Sequence, residues 1–586
     1  MLDRQTAQRF VNLYEASRLL SEENKSRLQL KVPVTIYVQD PMIRKSSGEP
    51  WTESVDLAWE LGLADGPTSA RVAVVDYDAD SGRVQEPARL HWDEEQGWRF
   101  LDTHARPVDE KRDTWQFRQV NAWAVVQRVL QFFENSRVMG RAIPWGFEGN
   151  RLIVVPHAGY CQNAFYDRNS KALQFYHCGT ADDPVYTCLS HDIVAHETGH
   201  AILDGIRPYC NDISSIQTSA FHEFVADLTA ILTALRNTPV RHAVAEQAEQ
   251  AGGKLDASTV INYLAEQFGS KVAAAHGAAD RYYLRNAANN RKIADMKGNW
   301  SAHDWSEVLT GALFEILKKM TLTHYRDGDS MKSSLNDASR RLVRLALRAL
   351  DFCPPVDVQF ADYARAFLHA DELAYPEDHF KYREIARKVF ERRGILSRPD
   401  GAPDRDERLY NVHFHRYDID RASRSRTAAY LFLHENRERL KIPDGQDFRV
   451  VDLYDTDKEV EARRRLPREI IVEYLWSEDV VLQGARFGKL QGKTLPLLCG
   501  GTLVFDGRGN VLHLVRKPGT NEEEGQLRRD RLLDYVEHLM QRGLVGLAEE
   551  SSAGVMDIWQ PPVVAQQVEG TLRLRATPQL WHSEGS

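Results

Sequence analysis

Ser190-His191-Asp192-Ile193-Val194-Ala195-His196-Glu197-Thr198-Gly199-His200-Ala201-Ile202-Leu203-Asp204-Gly205 is the stretch on which the reading of this chain turns. Ser190 is an N-cap residue type and Gly205 a C-terminal one, so the pattern predicts a helix between them. His196 and His200, four residues apart, project from one face of such a helix, where two imidazoles can share a tetrahedral zinc. Glu197 follows the first histidine. From there a carboxylate reaches a metal-bound water without being a ligand, which is the position of a general base.

A catalytic zinc takes three protein ligands and keeps one position open. The next helical pattern, Ala220-Phe221-His222-Glu223-Phe224-Val225-Ala226-Asp227-Leu228-Thr229-Ala230-Ile231-Leu232, supplies the third. Its apolar stripe of Phe221, Phe224, Val225, Leu228, Ile231 and Leu232 leaves Glu223 and Asp227 one turn apart on a common flank. Glu223 completes a His2Glu set, and Asp227 can accept the other ring N–H of a ligating histidine and so fix its tautomer.

These two segments together resemble the thermolysin-like metallopeptidases, the Glu-zincin group, with fungalysin-like features. The resemblance covers about residues 60–396. It implies a two-lobed zincin domain, one catalytic zinc, and a peptide or protein substrate. Asn163-Ala164-Phe165-Tyr166-Asp167 is similar to the family's edge-strand segment, which assigns Asn163 and Ala164 to the substrate main chain. Val120 to Phe133 is similar to the family's long aromatic helix. Tyr283-Leu284-Arg285-Asn286 resembles the arginine segment, with Arg285 on a substrate carbonyl, and Ser301 to Leu317 the helix whose histidine, here His303, stabilises the oxyanion. Asp304 and Glu307 read as a capping box that sets His303 at a helix N-terminus. The loop Pro208 to Thr218 is longer than the family shows; Tyr209 on it is the candidate oxyanion tyrosine. His222 stands where the family often has Asn. Asp192 matches a family calcium ligand, but Ala230 to Val244 lacks the acidic residues that would complete the site, so calcium is not expected.

The remaining chain sets these motifs in context. It has 586 residues, 75 basic and 84 acidic, a net charge of -9, and 12 Trp with 22 Phe. That many aromatics require interiors, which excludes a disordered chain, and the negative charge argues against a general nucleic-acid binder. The mean hydropathy is -0.47, and no apolar run approaches the roughly 20 residues of a membrane span. Six cysteines without Cys-x-x-Cys spacing read as reduced thiols. Met1 to Ala7 has no basic stretch leading into an apolar core, so no secretory signal and a cytoplasmic location are expected.

The fold class expected is α+β. Residues 1–60 form an N-terminal extension that opens with a helix over Thr6 to Leu20; residues 61–396 hold the catalytic domain, with a β-rich lobe to about 205 and a helical lobe after it. The polar, turn-rich Arg398 to Asp406 reads as part of a linker over 397–406. Residues 407–586 read as a separate α+β domain, built from strands near Phe448–Leu453, Glu469–Trp476, Thr502–Phe505 and Val511–Val515 and a helix Leu527–Gln541. Three functional readings follow: a zinc endopeptidase with Glu197 as base, a non-proteolytic zinc-binding scaffold, and a peptidase whose C-terminal domain inhibits it or recruits its substrates.

Overall fold

The computed structural model describes residues 31–580 other than 42, 46, 61, 181–182, 256–262, 265–284, 398–417, 462–463, 548–560, 569 and 579. The expected Thr6 to Leu20 helix and Arg398 to Asp406 linker lie outside the described residues.

The N-terminal part is β-rich. Strands β1 (Lys31–Tyr37) and β2 (Thr52–Ala58) pair antiparallel. Alternation buries Val32, Val34 and Ile36 in the same core as the aromatic helix described below, so residues 31–58 of the expected extension are built into this unit. Strand β3 (Val72–Val74) follows, then the hairpin of β4 (Arg89–Asp93) and β5 (Gly97–Leu101). Helix α1 (Trp115–Glu134) starts at Thr114, whose side chain accepts the Phe117 N–H, stops at Asn135, and contains the aromatic segment Val120 to Phe133. Strands β6 (Leu152–Val155), β7 (Ala164–Asp167) and β8 (Ala172–Phe175) complete a four-stranded sheet in the order β3-β6-β8-β7, with β7 antiparallel to β8 at one edge.

Helix α2 (His191–Ile206) is buried along all 16 residues. It crosses α3 (Ile216–Arg236), whose N-cap Ser215 accepts the Thr218 N–H. Gly199 makes that crossing close: a methyl there would meet the Ala226 Cα at 2.9 Å. Gly205 does not end α2, contrary to the sequence reading. The helix continues to Ile206, and a methyl at Gly205 would overlap the Pro144 carbonyl, so tertiary packing rather than helix termination requires glycine.

Four further helices pack around this pair: α4 (Thr238–Gln250), α5 (Ala302–Arg326), α6 (Met331–Arg348) and α7 (Phe360–Ala374), followed by α8 (Tyr382–Arg392). The cap of α5 is Ser301, whose hydroxyl accepts the Asp304 N–H at 3.2 Å. The expected Asp304–Glu307 capping box is therefore replaced by Ser301, because both carboxylates turn to Arg291 instead. His303 is the second residue of the helix.

The C-terminal part forms an antiparallel meander of β9 (Arg449–Thr456), β10 (Glu469–Val481), β11 (Thr494–Asp506) and β12 (Val511–Lys517), then helix α9 (Glu523–Gln541) and a small sheet of β13 (Val545–Leu547), β14 (Val563–Val568) and β15 (Thr571–Ala576). It has its own core around Phe432, Tyr474, Trp476, Leu503 and Val536. It is not loosely attached: buried ion pairs cross to the helical part, Arg207–Glu473 at 2.5 Å, Asp351–Lys458 at 2.8 Å, Asp357–Arg528 at 2.7 Å and Asp362–Lys517 at 2.6 Å. A buried charge in such a pair would be left uncompensated by removal of its partner alone. No helix among the described residues is long and apolar enough to cross a membrane.

Candidate metal centre and active site

The α2–α3 crossing brings together donors from two helices. The Nε2 atoms of His196 and His200 lie 3.1 Å apart, and the Glu223 carboxylate stands 3.7 Å from the first and 3.5 Å from the second. All three side chains are buried. Behind them, His196 Nδ1 is 3.0 Å from Asp227 Oδ1, and His200 Nδ1 is 2.8 Å from His222 Nδ1. Burial pushes the His222 imidazolium down to about 4, so this ring is neutral near pH 7 and can serve as an acceptor.

That backing selects tautomers. Asp227, an acceptor, selects the Nδ1–H tautomer of His196 and so turns its Nε2 lone pair toward the Glu223 carboxylate; a neutral His222 accepting from His200 does the same for the second ring. Three acceptors converging in a buried space call for a cation between them. Two tetrahedral ligands with bonds of about 2.0–2.1 Å sit roughly 3.3 Å apart, and the observed separations of 3.1, 3.5 and 3.7 Å surround that value. The residues fit a tetrahedral metal ion. Donor atoms of His196, Glu197 and His200 also lie within 4.8 Å of one another; the Glu223 carboxylate is nearer to both rings than that limit.

Glu197 is held from the sheet. Its Oε2 accepts the backbone N–H of Tyr166 at 2.9 Å. In β7 the backbone groups of Phe165 and Asp167 face β8, and alternation turns those of Ala164 and Tyr166 to the outer edge, on the Glu197 side. The Asn163 side-chain oxygen caps the Ala164 N–H at 2.8 Å. From α5, His303 brings its Nε2 to 3.0 Å from Glu223 Oε2, on a side chain 23% exposed.

Thus His196, Glu197, His200, His222, Glu223, Asp227 and His303 form one cluster beside the Ala164 strand. Tyr209 lies in a short turn, Pro208–Asn211, where its hydroxyl accepts from Arg449 at 3.1 Å. The Arg285 backbone pairs with Leu264 in a two-residue ladder, and its side chain lies outside the described residues.

Asp204 has a part that the sequence reading did not assign. Fully buried, it accepts from the Tyr166 hydroxyl at 2.7 Å, Arg168 Nε at 2.7 Å and Asn211 Nδ2 at 2.6 Å. It lies four residues beyond His200, so helical spacing alone marks it as sharing the donor face. It ties β7, α2 and the Tyr209 turn into one rigid corner.

No protein-family model and no curated protein matches this chain. Among solved structures, the precursor of protealysin, a metalloproteinase from Serratia proteamaculans, is similar over 57% of this chain and 91% of its own, with 16% sequence identity and a TM-score of 0.34. An overlap that loose assigns no function, and the distances above stand without it.

Proposed function

We propose that this chain is a zinc-dependent endopeptidase of thermolysin-like type. One observation carries the reading: the Nε2 atoms of His196 and His200 converge with the Glu223 carboxylate, while Glu197 is fixed beside them by the edge strand. His196, His200 and Glu223 would hold the ion. When bound, zinc supplies Lewis acidity toward a carbonyl oxygen and a water.

This chain's residues supply the rest. Glu197 takes the proton of the attacking water and returns it to the leaving nitrogen; with Oε2 fixed by Tyr166, Oε1 is the oxygen assigned to that proton. An extended substrate adds to the outer edge of β7 at Ala164, taking the place of the Asn163 side chain on the Ala164 N–H, which aligns the scissile bond. His303, at the α5 N-terminus, donates to the developing oxyanion, Tyr209 is assigned the same task, and Arg285 a substrate carbonyl. In this reading residues 61–396 form the two-lobed peptidase unit, and the region after 406 braces it.

The test is metal content together with hydrolysis of casein by the full chain. About one zinc per chain and chelator-sensitive cleavage are expected, with metal lost in Glu223→Ala. A protein that takes up no zinc and cleaves nothing when zinc is supplied would overturn the reading.

A further inference from the structure

A cleft of about 340 Å³ opens where the C-terminal ends of α1 and α3 and the start of α4 meet the middle of α6. Arg236 on its wall follows Glu223 by 13 residues of α3, roughly 20 Å along the axis at 1.5 Å per residue, so the cleft is separate from the metal donors. Five arginines line it: Arg137, Arg236, Arg241, Arg340 and Arg344. Among the described residues, none of the five has a carboxylate within ion-pair distance. Their partners are neutral: Arg241 donates to the Leu235 carbonyl at 2.8 Å, Arg344 to the Tyr375 hydroxyl at 3.0 Å, and Arg236 lies over the Phe132 ring at 5.3 Å. The carboxylate that acts on Arg236 and Arg241 from further off is Glu53, itself 3.6 Å from Arg128.

This arrangement carries a cost. Arg340 and Arg344 stand at i and i+4 on one helix face, where like charges repel, and Arg241 sits in the first turn of α4, against the helix dipole. Burial, and after it the neighbouring guanidiniums Arg128 and Arg340, lower the pKa of Arg236 and Arg241 respectively. Of the five, Arg236 and Arg340 are exposed and Arg137, Arg241 and Arg344 half-buried. Under the five sits an apolar floor that includes Phe132, Leu235 and Val343.

We propose that this cleft binds a small phosphate-bearing polyanion. Planar guanidinium forks match phosphate oxygens two at a time, and the floor accepts an apolar or aromatic part. The volume lies at the lower end of the roughly 300–1,000 Å³ of small-molecule sites, the size of a compact organic phosphate. The inference is independent of the peptidase reading.

The test is titration calorimetry of the full chain with inorganic tripolyphosphate and, separately, ATP, at about 0.1 M salt so that non-specific attraction is screened. One site with Kd below about 100 µM is expected. It should weaken at least tenfold in Arg340→Glu and in Arg241→Glu, and stay unchanged in Arg83→Glu, an equal charge change at an exposed position on the N-terminal part. Arg340 is itself exposed, so its replacement tests binding rather than folding. Tighter binding of ATP would show the floor holding the organic part, and equal binding would show the phosphates acting alone; both support the site. No binding of either probe at about 1 mM, equal weakening in Arg83→Glu, or binding of poly-glutamate without binding of phosphates would overturn it, the last assigning the cleft to an acidic peptide.

Discussion

The guanidinium of Arg449 donates to the hydroxyl of Tyr209 at 3.1 Å, across 240 residues of sequence. The same turn is gripped twice more: Arg573 reaches Asp212 at 3.2 Å, and Ile213 N–H donates to the Leu574 carbonyl at 3.0 Å. On the other flank, Trp300, just before α5, stacks on Tyr535 and His538 of α9 at ring separations of 5.9 and 4.6 Å. Both segments bordering the donor cluster, the Tyr209 turn and the entry to the His303 helix, rest on the C-terminal region. Its contacts favour structural support, a role the sequence did not suggest.

If Tyr209 acts on the oxyanion, Arg449 positions it, and the two behave as one unit. Tyr209→Phe and Arg449→Ala should each lower kcat/KM on a peptide substrate, and the double variant should be little worse than either, with a coupling energy of about 1 kcal/mol. Strictly additive losses would separate the two residues.

Glu197→Gln keeps an oxygen for the Tyr166 N–H but removes the base. Zinc content should be unchanged and casein hydrolysis should fall by roughly 10²–10⁴-fold, the usual contribution of a positioned acid–base group. Wild-type turnover in this variant would dismiss the mechanism.

Ending the chain after Leu396 would remove Glu473, Lys458, Arg528 and Lys517 from Arg207, Asp351, Asp357 and Asp362 and uncover the surface around them. The uncovered charges would regain water, so the loss falls on the contacts packed around them, and a stability of about 5–15 kcal/mol leaves little to absorb it. The shortened chain should be insoluble or unfolded, and co-expression of residues 407–586 should rescue it. A soluble, active fragment would show the region to be dispensable.

Acid stability should follow Asp351, which lies 2.9 Å from Arg141 and 2.8 Å from Lys458. Burial alone raises its pKa, but the two cations outweigh it and hold the carboxyl well below the usual range. A depressed folded-state pKa stabilises the protein above the unfolded value of about 3.9 and loses that contribution as pH falls. The melting temperature should therefore drop steeply below about pH 4. Asp351→Asn should be less stable at pH 7 by about 3–5 kcal/mol and should show a shallower acid slope; parallel slopes would count against the assignment.

The donor set was legible because it is local. His196 and His200, then Glu223 and Asp227, are read from spacing on two helices, and α1 from Trp115 to Asn135 follows its apolar period. What escaped depends on distant chain. The Tyr166 N–H on Glu197, the Pro144 carbonyl that requires Gly205, and the Arg449 clamp on Tyr209 join segments that no periodicity connects. The arginine cleft is dispersed over residues 137 to 344 and leaves no motif. The capping box failed for a related reason: Arg291, outside the helix, competes for both carboxylates.

The outer edge of β7 beside Glu197 has a bearing on what can be cleaved. A guest strand must offer several consecutive backbone N–H and C=O groups that are not already engaged. Folded proteins have spent nearly all of theirs in their own helices and sheets. An enzyme that docks its substrates on this edge would therefore sort polypeptides first by conformation and only then by side chain, sparing native neighbours while taking chains that have lost their structure.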